Sequence, residues 1–105
     1  MPVDRYEPMP GANFSGIDLS RVDWPQVDLW GANLAGANLK GANLREANLV
    51  GANLKGANLK GANLMSANLK NANCKGANFS GANLERTERS GANFEGADLT
   101  DAQLY

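Results

Sequence analysis

The stretch "GANLKGANLKGANL", residues 51–64, repeats every five positions, a period natural to neither regular secondary structure. On an α-helix, residues five apart are turned by roughly 140° from one another. Leu54, Leu59 and Leu64 would then spiral over the surface and bury no common face. In a continuous strand the side chains alternate with period two, so a spacing of five sends successive leucines to opposite sides. Both apolar positions of the pentad face one way if Ala-Asn-Leu is a short extended piece and the next two residues turn a corner. Glycine makes such a corner cheap because it tolerates positive φ. Four corners close a square of about 20 residues, and squares can stack at the inter-strand spacing of about 4.8 Å.

Nearly all of the 105 residues obey this frame. Sorted by position modulo five, every Leu and Phe falls in one class, from Phe14 and Leu19 to Leu99 and Leu104, and only Trp24, Cys74 and Arg89 join them. Two residues earlier comes a second inward class, with Ala12, Ala32 and Ala37 onward and Ile17, Val22 and Val27 in the first coil. Thr87 is its one polar member. Asn or Asp lies between the two classes almost throughout, and Gly most often stands two after the Leu. Residues twenty apart should therefore stack, Leu34 on Leu54 and Lys40 beneath Lys60, with backbone groups pairing between layers.

These pentads, of form Ala-Asn-Leu-x-Gly, resemble the pentapeptide-repeat family over residues 12–104. The resemblance implies an all-β fold, a right-handed quadrilateral parallel β-helix of between four and five coils at this length. It implies little about function, because members share the tube and little else.

The ends depart from the middle. Residues 1–11 hold Pro2, Pro8 and Pro10 and read as an extended segment capping a repeat domain of residues 12–105. Trp24 reads as a plug for the open end of the first coil, and Trp30, just after an inward Leu, points outward. "ERTERSG", residues 85–91, puts Thr87 and Arg89 at inward positions. A buried unpaired guanidinium is very costly, so Arg89 must leave through the uncovered end or through a bulge. Phe94, Leu99, Leu104 and Tyr105 finish the tube, and their apolar cross-section suggests a two-fold homodimer through this end.

The net charge of −1 conceals a pattern. Both ends are acidic, whereas the middle carries Lys40, Arg45, Lys55, Lys60, Lys70 and Lys75 against Glu46. This basic belt is either a solubilising surface that discourages lateral sheet pairing or a docking surface for an acidic protein whose identity is not legible. Enzymatic function finds no constellation: there is no His, Cys74 is expected to be an inert core thiol, and the carboxylates point outward without a shared pocket. No catalytic residue, metal site or cofactor is expected. Direct nucleic-acid binding is not expected either, because the chain is slightly acidic and both Trp lie outside the belt. The family resemblance raises one further possibility, a DNA mimic acting on gyrase or another topoisomerase. A basic middle breaks the continuous acidic face such mimicry needs. No apolar run approaches the roughly 20 residues of a membrane span, and "MPVDRYEPMP" lacks the basic start and apolar stretch of a secretory signal. The expected setting is the cytoplasm, away from membranes.

Overall fold

The computed structural model describes residues 7–105, so the first six residues of the sequence-based capping segment lie outside the described residues. The pairing consists of fifteen isolated parallel bridges, each joining a pentad's central residue to the one twenty positions later, as in Asn33↔Asn53 and Asn53↔Asn73. Each side of the tube pairs through one residue only, which is why no longer strand appears among the described residues. Four sides make a coil. Side 1 is centred on Asn13, Asn33, Asn53, Asn73 and Asn93, and side 2 on Asp18, Asn38, Asn58, Asn78 and Asp98. Side 3 is centred on Asp23, Asn43, Asn63, Asn83 and Gln103, and side 4 on Asp28, Asn48, Asn68 and Glu88.

One central pentad shows why this geometry is stable for a polar backbone. Leu54 N–H donates to Asn73 O at 2.7 Å and Gly56 N–H to Lys75 O at 2.9 Å, both toward the C-terminal end of the tube. Asn53 N–H donates the other way, to Ala32 O at 2.9 Å. Ala52 N–H closes the preceding corner onto Leu49 O at 3.0 Å. The remaining donor, Lys55 N–H, is taken by the Asn53 side-chain Oδ1 at 3.0 Å. Every N–H of the pentad is satisfied, as a dense backbone requires. The repeated Asn is explained by this last bond, since its side chain accepts the one donor that neither the turn nor the next layer can reach.

The corner is a four-residue turn with positive φ at its third residue alone, the pattern of a type II turn. That turn favours Pro at its second position, where Pro10 and Pro25 stand, and no interlayer bond is lost because that residue donates only to the Asn side chain. Gly11 N–H donates to Trp30 O at 2.8 Å and Ala12 N–H to Met9 O at 3.1 Å, so residues 9–11 already make one corner of the ladder.

The interior is a solid apolar shaft. Leu34, Leu54 and the leucines between them are fully buried, with Ala filling the positions beside them. Each buried Leu contributes roughly 1.5–3 kcal/mol before conformational entropy is subtracted, and only neighbouring layers supply its contacts. At the N-terminal end the half-buried Trp24 ring lies 5.8 Å from Phe14, as a plug would. Trp30 is outward and 57% exposed.

The register runs unbroken through residues 85–91. Asn68 bridges Glu88, and Leu69 N–H donates to Glu88 O at 2.7 Å. Glu88 replaces Asn with a longer side chain that makes the same bond, its Oε1 accepting from Ser90 N–H at 2.9 Å. The Thr87 hydroxyl donates to Leu84 O at 2.8 Å. Of the two exits open to Arg89, the chain takes the uncovered end, where its Nη2 reaches the Leu104 carbonyl at 3.5 Å.

Candidate interaction surfaces

No cavity and no cluster of three or more His, Cys, Asp or Glu able to hold a metal occurs among the described residues. What the tube offers is flat sides and the corners between them. The stacking distributes the six cations of the basic belt around the axis rather than onto one face. Lys55 and Lys75 stand at the corner that opens side 2, and Lys40 and Lys60 at the corner that closes it. Arg45 and Lys70 belong to the other two corners. Four lysines thus frame side 2, whose centre is the Asn38, Asn58 and Asn78 ladder, with Asp18 and Asp98 at its two ends. Lys75 lies 3.9 Å from Glu95, and Arg45 lies 3.5 Å from Glu46, both in solvent, where such pairs hold little energy.

The acids at the ends of side 2 are set by the turn bond. A hydrogen bond from the Ser20 backbone holds the Asp18 carboxyl below its ordinary value, and the Thr100 hydroxyl and backbone do the same for Asp98. Glu88 is lowered chiefly by the Ser90 backbone N–H. Cys74 is fully buried, and desolvation pushes its thiol up to about 12, far from a reactive thiolate.

At the C-terminal end, Phe94, Leu99 and Leu104 are half-buried against the core, Phe94 lies 5.5 Å from Phe79, and Tyr105 is 98% exposed. The last coil also leaves its upward N–H groups, such as those of Phe94, Gly96 and Leu99, without a backbone acceptor.

A feature that reading along the chain passes over emerges once the corners are stacked. The positive-φ position of the corner after side 3 holds Gln26, Glu46, Ser66 and Arg86, with no glycine at all. Left-handed backbone costs a residue with a Cβ roughly 1–2 kcal/mol. The remaining positive-φ residues other than glycine are Arg21 and Asp101, on the opposite border of side 3, and Asn71. Six of the seven therefore flank side 3. The signal was present in the sequence as a modulo-twenty column.

A family model for pentapeptide repeats matches residues 12–49, 47–86 and 77–105. The chain belongs to the pentapeptide repeat family, whose solved members are right-handed quadrilateral β-helices. A pentapeptide repeat protein of the Arabidopsis thaliana thylakoid lumen superposes with a TM-score of 0.89 at 39% identity, over 94% of this chain and 70% of that one. HetL, a pentapeptide repeat protein involved in heterocyst differentiation regulation in Nostoc sp. strain PCC 7120, gives 0.75 at 35% identity, over 90% of this chain and 49% of HetL. A further Nostoc pentapeptide repeat protein gives 0.72 at 40% identity, over 73% of this chain and 64% of that one. The chain thus spans about half of HetL and just under two thirds of the third relative. No curated protein matches it in sequence. No helix is long and apolar enough to cross a membrane among the described residues.

Proposed function

We propose that the chain is a non-catalytic binding module of between four and five coils that docks an acidic protein segment on side 2. The observation that carries this reading is the frame of Lys40, Lys55, Lys60 and Lys75 around an amide ladder. Flat, regularly spaced donors suit an extended acidic peptide, and cations on long stems favour rapid, salt-sensitive encounter. Residues 9–11 make a corner at the open end of the first coil, and the setting that goes with this reading is the cytoplasm, where a lone thiol stays reduced.

Calorimetric titration with poly-glutamate tests the reading. The native chain should bind with an affinity that falls with salt, and Lys40→Ser, Lys55→Ser, Lys60→Ser and Lys75→Ser combined should weaken it about tenfold or more. An unchanged affinity would rule out side 2 as the site. The DNA-mimic alternative finds less support, since cations ring the middle of the tube, and a gyrase supercoiling assay should read no inhibition.

A further inference from the structure

Side 3 carries a charge pattern that a second copy of the chain matches. Consider two tubes laid side by side and antiparallel, related by a two-fold axis perpendicular to the tube and level with Asn63. The axis keeps each column facing itself and inverts its height. Arg21 then lies opposite the partner copy's counterpart of Asp101, and Arg45 opposite Glu85. Asp23, a pure acceptor, meets the amide of Gln103, and Asn43 meets Asn83. Pro25 meets the exposed Tyr105, and Met65 meets itself on the axis. Each pairing occurs twice, as an isologous contact requires. On the adjoining shoulder the strained Glu46 and Arg86 also face one another.

The other sides fail the same operation. Side 1 sets Lys55 against Lys55 on its axis, and side 2 sets Asp18 against Asp98 and Lys60 against Lys60. Side 4 brings either Asp28 onto Glu88 or Lys70 onto Lys70, depending on the level of the axis. Turning two copies parallel through side 3 fails as well, since Asp23 then meets Asp23. The end-on arrangement sets unpaired N–H donors against donors and the acids Glu95, Asp98 and Asp101 against their like. Like charges also border the contact: Lys60 meets its own copy, Glu46 stands beside Arg45 and so near the second copy's Glu85, and Asp23 stands beside Arg21 and so near the second copy's Asp101, all at the surface where side chains can splay into solvent.

We infer that side 3 is a self-recognition surface through which two chains pair antiparallel, with Arg45 bound to Glu85 of the second copy. Of the glycine-free corner, Glu46 and Arg86 border this contact and face one another across it. A side of five residues is at most about 17 Å across and, at five coils, about 24 Å tall, so it covers roughly 400 Å² per copy, below the standard size of a specific interface; the dimer is weak and its specificity is electrostatic. This contact shares one corner, that of Lys40 and Lys60, with side 2 and leaves the Lys55 and Lys75 corner open.

Sedimentation equilibrium to about millimolar concentration and site-directed cross-linking test it together. The native chain should dimerise. Arg45→Glu and Glu85→Arg should each raise the dissociation constant about tenfold, and the two combined should restore it to within about threefold. Met65→Cys should cross-link to a dimer with a short bis-maleimide, since the buried Cys74 does not compete. Tyr105→Cys should not, because its two copies lie about 19 Å apart across the axis. A monomer throughout, a constant indifferent to both charge reversals, or cross-linking of Tyr105→Cys in place of Met65→Cys would overturn the assignment. Circular dichroism on each variant separates lost pairing from lost fold.

Discussion

The corner residue is where sequence and backbone meet most tightly, and two glycines show that the demand is not uniform. A Cβ at Gly51 would meet nothing within 4 Å, whereas one at Gly91 would run into Asn71 Oδ1. Both have positive φ, +67° and +74°. Gly51→Ala should cost about 1–2 kcal/mol from backbone strain alone, and Gly91→Ala more, because the Asn71 side chain must also move. Urea denaturation of the two variants gives the comparison. Ser66, with φ at 62°, offers the reverse substitution: Ser66→Gly should stabilise by roughly 0.5–1 kcal/mol, the strain relieved minus the unfolded-chain entropy gained. The modulo-five rule makes these positions legible. It does not reveal Asn71 leaning over Gly91, since that is a contact between two corner residues twenty apart.

At the scale of the pentad, the side-chain acceptor at the centre of each side makes acid stability predictable. Asp18, Asp98 and Glu88 occupy that position as carboxylates, and the turn N–H they accept holds each below its ordinary value, 3.8 for Asp and 4.5 for Glu. A lowered value in the folded state means stability present above the ordinary value and lost as pH falls through the lower one. Asp18→Asn with Asp98→Asn keeps the same acceptor, as Asn38 and Asn58 do, and should flatten the fall in urea midpoint below pH 3.8. The element itself was readable in the spacing, because only a three-residue side and a two-residue corner turn both apolar classes inward. Residues 9–11 escaped that reading because Pro8 stands where Asn usually does, although Met9, Pro10 and Gly11 satisfy the corner.

For the whole molecule, stacking makes the middle strong and the ends weak. Leu54→Ala, deep in the shaft, should cost about 2–5 kcal/mol, while Leu99→Ala, half-exposed at the end, should cost about 1–2 kcal/mol; thermal unfolding monitored by circular dichroism checks the ratio. The stack was legible as soon as residues twenty apart were superposed, and so was the acid-base-acid banding. The allotment of cations to separate corners, and the self-matching of side 3, depend on which residues share a face, and a linear reading averages over that. The directions of the interlayer bonds carry one more consequence. Each pentad sends two peptide N–H groups toward the C-terminal end and one back. The surplus does not cancel, so the tube is an electric dipole whose positive pole lies at the C-terminus, the reverse of an α-helix. Glu95, Asp98 and Asp101 gather at the favourable pole, whereas Asp23 and Asp28 sit at the unfavourable one, where neutralising them would steady the tube.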